Sequence, residues 1–296
     1  MVDIIFACSG TEKIAKEIAK KLNLPFSKLQ SIKFPDGELD VSFGRSLNGK
    51  DVFIVQNFQN TKEINLNDKI IETLFAIYTA RDLKARNVYL IATYFPYFRG
   101  DARFKDGGCI SIKVMNKLFE GCDKIFCVDP HLHRIKNIKN ALSNGIEINL
   151  DEPIIEYLKK KNIVNPIFVG PDIESVQWIV NVAKAFKQKP VVALKERKSA
   201  REVVISLPKI KTAKGRDIII IDDIISTGHT IIENIKQLKK YEPRKFYVIG
   251  IHGLFTENAL PKLKKYATIV STNTLNHNAE TIDVSSQIAK IVRKNI

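Results

Sequence analysis

The sequence predicts an α/β protein built on two largely parallel sheets, each flanked by helices, and three observations carry that prediction. Short apolar runs rich in β-branched and aromatic residues alternate with helical patterns from end to end, the rhythm of strand–helix–strand units. The strand candidates are continuously apolar rather than alternating, as suits strands buried on both faces. The length of 296 residues, 45% of them hydrophobic, is more natural for two sheets of ordinary size than for one.

The elements follow in chain order. "VDIIFAC" leads to the helix "TEKIAKEIAKKL", whose Ile14, Ile18 and Leu22 fall on one face at a spacing of four. "SIKF" and "ELDVSF" flank an Asp-Gly turn, a hairpin signal. Strand-like "DVFIVQ" precedes the helix "NDKIIETLFAIYTARDL", "NVYLIATYF" precedes "SIKVMNKLF", and "KIFCVD" is followed later by "EPIIEYLKKK". The second half repeats the rhythm with "NPIFVGPD" and "SVQWIVNVAKAF", "RDIIIIDD" and "TIIENIKQLKKY", "KFYVIGIHG" and "NALPKLKKY", and "ATIVSTNT" and "VSSQIAKIVRK". Ser143, Asn144 and Gly145 cluster just before Pro153, which suits the first turn of a new helix. The domains are therefore expected at 1–145 and 146–296.

Lys and Arg outnumber Asp and Glu by 47 to 32, a formal charge of +15, which suits phosphorylated ligands or nucleic acid. The basic residues are scattered along helical faces, as in "KIAKEIAKKL" and "KQLKKY", with no compact basic stripe interleaved with aromatics, so no nucleic-acid partner is expected. No apolar run approaches the roughly 20 residues of a membrane-spanning helix, and "MVDIIFACSGTEK" reads as a strand and turn rather than a signal. A cytoplasmic protein with no membrane partner is expected. Cys8, Cys109, Cys122 and Cys127 form no C-x-x-C pair, and buried free thiols are the expectation for them.

In open parallel sheets, ligands bind beyond the carboxyl ends of the strands. The run Ile218–Ile221 ends in Asp222 and Asp223, and then Ser226, Thr227, Gly228, His229 and Thr230 lead into a helix. Gly228 permits close backbone approach, and loop amides before a helix N-terminus form a phosphate cradle. Thr227 and Thr230 add hydroxyl donors. Two carboxylates beside such a cradle can accept hydrogen bonds from a pair of sugar hydroxyls or hold a metal ion. Isolated Asp residues often cap turns, but a pair at this place points to a phosphorylated sugar.

"IIIIDDIISTGHT" resembles the phosphoribosyl-diphosphate motif of type I phosphoribosyltransferase folds. "KFPDGEL", "YFPYFRGDARFKDGGCISIKVMNKLF", "CVDPHLH", "VGPD" and "KERKSAREV" occur in the order and spacing of ribose-phosphate diphosphokinases, also called phosphoribosyl-pyrophosphate synthetases. The resemblance covers essentially the whole chain. It implies two tandem phosphoribosyltransferase-like domains, and transfer of the β,γ-diphosphoryl group of Mg-ATP to the 1-hydroxyl of ribose 5-phosphate with release of AMP.

The same resemblance distributes roles. Asp222, Asp223, Ser226, Thr227, Gly228, His229 and Thr230 are expected to bind ribose 5-phosphate. Phe34, Asp36 and Glu38 are expected to hold adenine in a site shared with a neighbouring subunit, so a homo-oligomer is implied. Arg99, Asp101 and Arg103 are expected at ATP, with Asp101 orienting Arg99. His131 and Asp172 are expected to bind Mg²⁺, and Lys195 and Arg197 to act as catalytic cations on a closing loop. The sequence departs from the family at Gly100, where Gln is usual, at His229, where Gly is common, and after Asp172, where Ile173, Glu174 and Ser175 replace small residues and glycine.

Overall fold

The computed structural model describes residues 3–171, 175–192, 194–197, 203–206 and 213–296. The chain forms two compact units, one of Met1–Asn149 with Ser285–Ile296 and one of Leu150–Val284.

In the first unit the strands β1 (Ile4–Ala7), β2 (Phe26–Lys28), β5 (Asp51–Gln56), β6 (Asn87–Ala92), β7 (Lys124–Val128) and β8 (Gly145–Ile148) form one sheet. Its order is β2-β1-β5-β6-β7-β8, and every pairing is parallel. The crossovers carry α1 (Glu12–Leu22), α2 (Leu66–Asp82) and α3 (Ser111–Leu118). The expected hairpin is β3 (Gln30–Lys33) paired antiparallel with β4 (Leu39–Ser42). Its turn is closed by the Phe34 amide donating to the Glu38 carbonyl at 2.8 Å, and Gly37 supplies the left-handed φ of 98° that this turn requires.

The second unit repeats the plan. Its sheet contains β9 (Ile167–Gly170), β10 (Val191–Val192), β13 (Asp217–Ile225), β14 (Lys245–Gly253), β15 (Thr268–Thr272) and β16 (Glu280–Ile282). The order is β10-β9-β13-β14-β15-β16, again all parallel, and a second antiparallel hairpin, β11 (Leu194–Arg197) with β12 (Val203–Ser206), occupies the place of the first. The helices are α4 (Asp151–Lys159), α5 (Val176–Ala185), α6 (His229–Leu238) and α7 (Ala259–Lys264). Continuous burial along β1, β9 and β14 is the two-sided burial that the apolar runs foretold.

The division differs from the expected 1–145 and 146–296 in two places. Ser143–Gly145 is not a linker: Asn144 Nδ2 donates to the Cys122 carbonyl at 2.6 Å, and a Cβ on Gly145 would lie 2.9 Å from Ile138 Cγ1. That tight turn starts β8, and the unit ends at Asn149. The last helix, α8 (Ser285–Lys294), belongs to the first unit. It buries Ile288, Ala289 and Val292, packs on α1 and β8, and Arg293 Nη2 donates to the Lys21 carbonyl at 2.7 Å.

Among the described residues no helix is long and apolar enough to cross a membrane. Cys8, Cys122 and Cys127 are buried free thiols, pushed above the ordinary thiol range chiefly by burial. Cys109 is exposed instead.

Candidate active site

In each sheet the chain leaves the first strand toward one edge and then returns on its other side, so the crevice at the carboxyl ends lies between β1 and β5, and between β9 and β13. In the second unit β13 outruns its partner on that side. β9 pairs with β13 only through Ile218, Ile219 and Ile220, so residues 221–225 run past it while β14 still pairs on the other side. Asp222 and Asp223 lie on this overhang, within the strand rather than after it. Asp222 is half-buried and Asp223 buried. Asp223 Oδ1 accepts from the Ile224 amide at 2.8 Å, so part of this carboxylate's work is local.

The cradle follows at once. Gly228 stands at the N-cap of α6 in the left-handed region at φ 71°. A Cβ at this position would lie 2.9 Å from Leu263 Cδ1, so glycine is required both by conformation and by space. Ser226 Oγ pairs with Thr256 Oγ1 at 2.9 Å, and the Phe255 amide donates to the Ile225 carbonyl at 3.0 Å; these contacts fix the loop. Thr227 is half-buried, while His229 and Thr230 are exposed. The arrangement places a glycine-bearing loop, hydroxyl side chains and a helix N-terminus beside two carboxylates.

The first unit shows what the same crevice becomes when it is filled from within. Counted from the registers of Ile4 with Val52 and of Ile167 with Ile218, Gln56 and Asn57 stand where Asp222 and Asp223 stand in the repeat. The loop amide of Ser9 donates to both Glu72 carboxylate oxygens at 3.3 and 3.2 Å, Ser9 Oγ donates to the same group, and Gln56 Nε2 donates at 2.9 Å. Lys69 Nζ donates to Asn57 Oδ1 at 2.8 Å, and Lys69 and Glu72 are both 0% exposed. Burial pulls the Lys69 ammonium below the ordinary lysine range, with Glu72 opposing. Glu72 thus supplies from within the unit the acceptor for the Ser9 loop amide.

The nucleotide candidates in the first unit fall into two groups. Phe34, Asp36 and Glu38 sit on the tip of the β3–β4 hairpin, where Phe34 is 46% exposed. Asp36 Oδ1 accepts from the Glu38 amide at 3.2 Å, and neither carboxylate forms an ion pair among the described residues. Arg99, Asp101 and Arg103 follow β6, and His131 follows the neighbouring β7, so these share one sheet edge. Arg99 and Arg103 are exposed, and Arg103 Nη1 donates to the Gly108 carbonyl at 2.6 Å. Asp101 does not orient Arg99. Its carboxylate accepts from Arg134, from Nη1 at 2.9 Å and from the backbone amide at 3.3 Å.

Asp172 lies outside the described residues. Lys195 and Arg197 lie on β11, of which the backbone alone is described. Among the described residues no three His, Cys, Asp or Glu side chains converge in a metal cluster.

Comparison with known proteins now bears on these features. The N-terminal domain of ribose phosphate pyrophosphokinase matches residues 4–122, and the phosphoribosyl transferase domain matches residues 137–289. A ribose-phosphate pyrophosphokinase of Saccharolobus solfataricus is 32% identical over 296 residues, covering 97% of this chain and 99% of that protein. The chain belongs to the ribose-phosphate pyrophosphokinase family. The enzyme of Sulfurisphaera tokodaii with the same name is 29% identical over 299 residues, covering 97% and 99% of the two chains. The crystal structure of phosphoribosylpyrophosphate synthetase from Mycobacterium smegmatis shares the fold, with a TM-score of 0.85 at 22% identity over 98% of each chain.

Two departures from the pyrophosphokinase pattern have a physical setting here. A side chain at position 100 requires the Ser111 hydroxyl to move, because a Cβ would lie 1.8 Å from Ser111 Oγ, which here donates to the Tyr97 carbonyl at 3.2 Å. His229 opens α6 with its ring exposed, so the loop accepts a side chain there without displacing anything. Sequence reasoning missed the Ser9–Gln56–Lys69–Glu72 network and the partner of Asp101. Neither had a usable signal, since the inward face of α2 includes Lys69, Glu72 and Thr73 rather than an apolar stripe alone.

Proposed function

We propose that the chain is a ribose-phosphate diphosphokinase that moves the β,γ-diphosphoryl group of ATP to the 1-hydroxyl of ribose 5-phosphate, giving 5-phosphoribosyl 1-diphosphate and AMP for nucleotide biosynthesis in the cytoplasm. The observation that carries this reading is the acid pair on the stretch of β13 that runs past β9, followed by the loop 226–228 and the start of α6, in a chain of this family. Asp222 and Asp223 accept from the two ring hydroxyls of the sugar. The amides and hydroxyls of Ser226, Thr227, Gly228, His229 and Thr230 hold the 5-phosphate. Fixing both ends of the sugar leaves its 1-hydroxyl as the group presented for attack, which is catalysis by positioning.

Arg99 and Arg103 neutralise the triphosphate. Lys195 and Arg197 stabilise the charge that develops on the transferred diphosphoryl group and on the leaving AMP oxygen. No nucleophilic side chain is required for such a transfer. His131 and Asp172 are the residues that would hold Mg²⁺. Mg²⁺ keeps several waters and needs few protein ligands, so an imidazole and a carboxylate are a chemically suitable pair for it. When bound, the ion neutralises phosphate charge.

Self-association belongs to the same reading. Helix α2 turns charged Lys69 and Glu72 inward, while Ile71, Phe75 and Tyr78 are exposed, as are Val114 and Leu118 of α3, and Tyr78 Oη donates to the Leu118 carbonyl at 3.5 Å. An outward apolar face of this kind fits a second copy. Exposed Phe34, with Asp36 and Glu38, would then complete the adenine site of a neighbour.

The expected products separate this reaction from an ordinary kinase. With ribose 5-phosphate and ATP labelled in the β or the γ position, both labels should move to the sugar together. Label from the γ position alone on the sugar, with ADP as co-product, would contradict the reading.

A further inference from the structure

The segment after β6 and the loop after β7 are joined by one ion pair. Asp101 has a side chain 1% exposed, and its carboxylate accepts from the Arg134 backbone amide at 3.3 Å and from Nη1 at 2.9 Å. The guanidinium carbon of Arg134 lies 5.2 Å from the centroid of the Phe104 ring. The guanidinium is thus held by a buried carboxylate and by an aromatic face. Its side chain nevertheless stays 49% exposed.

That combination is a poor design for a tether alone. A half-exposed ion pair contributes little to stability, whereas a guanidinium carries five donors in a rigid fork, and the one side-chain bond to Asp101 leaves most of them free to face outward. The surroundings name what such a fork would meet. Arg134 lies three residues after His131, Asp101 two after Arg99, and exposed Arg103 and Lys105 follow on the same segment. This edge of the sheet collects cations, and a buried carboxylate among them would repel a phosphate if Arg134 did not neutralise it.

The geometry points to Arg134 as a further ATP-binding residue, its fork preset by Asp101 and Phe104 to receive oxygens of the triphosphate. Asp101 is then a positioning residue acting through Arg134 rather than a ligand of the nucleotide. Presetting matters because less side-chain freedom is lost on binding. The inference rests on the reading of the chain as an ATP-dependent diphosphokinase.

Initial rates and calorimetry on the full chain test it. Arg134→Ala should raise the KM for ATP about 10- to 100-fold, the scale of a lost hydrogen bond to a charged group, and leave the KM for ribose 5-phosphate little changed. Inhibition by adenosine, which has no phosphates, should be unaffected. Arg134→Lys keeps the charge without the fork and should recover only part of the loss. Asp101→Asn should weaken ATP in the same direction. An unchanged ATP KM in both Arg134 variants, with a fall in Tm alone, overturns the inference and returns the pair to a tether. Equal loss of adenosine inhibition overturns it too, because the whole site would then have collapsed. If the wild-type chain formed no AMP the reaction reading would fail, and ATP titration of wild type and Arg134→Lys would still decide the contact, equal affinities counting against it.

Discussion

Replacing Lys195 or Arg197 by alanine is expected to lower kcat by about 10²–10³, the usual cost of removing one preorganised donor from a site where charge develops. The KM for either substrate should move far less, because the charge these cations meet is small in the ground state and grows as the diphosphoryl group leaves AMP. They lie on β11, one of two strands of a hairpin that lies between β10 and β13 in the chain, with one residue between them. Glu196, between them, should matter little. The double variant should lose less than the product of the single losses, since a hairpin that has lost one cation uses the other less well. Near-normal kcat in either variant, or a loss confined to ATP binding, would make them ordinary phosphate-binding cations.

Asp222→Asn and Asp223→Asn should each weaken ribose 5-phosphate by about 1.5–3 kcal/mol, the net worth of a hydrogen bond to a charged group. The structure makes the second substitution the sharper one. Asp223 is buried and accepts from the Ile224 amide at 2.8 Å, and asparagine keeps an oxygen for that bond while removing the charge. A purely structural Asp223 therefore predicts little change in sugar affinity in Asp223→Asn. A sugar-binding Asp223 predicts the loss at nearly unchanged Tm. Calorimetric titration of ribose 5-phosphate into both variants, with melting curves alongside, separates the two.

Where sequence periodicity and burial agree, the fold was legible. The all-aliphatic Ile218–Ile221 run is a central strand, and the Asp-Gly hairpin and the alternation of strands with helices appear where the patterns put them. Short edge strands escaped notice: β2, β10 and β16 have two or three residues each, too few to show a period. The destination of α8 was also hidden. Its apolar stripe of Ile288, Ala289 and Val292 says that one face is buried but not against which unit. At the site, the acid pair and the loop before α6 were readable because strand, turn and helix are contiguous. The partners of Asp101 and Glu72 were not, because Arg134 and Ser9 are distant in sequence and only the sheet order brings them close. Helix α2 misleads in a physical way: Lys69, Glu72 and Thr73 face inward and Ile71, Phe75 and Tyr78 outward, so hydrophobicity does not reveal its buried side.

AMP release from ATP, followed in Mg²⁺ with and without ribose 5-phosphate, bears most directly on the central claim that the second unit's crevice holds the sugar that accepts the diphosphoryl group. The expected result is AMP formed in step with sugar consumed, none without ribose 5-phosphate, and none when a chelator removes the divalent ion. AMP released at the same rate without the sugar would contradict the claim.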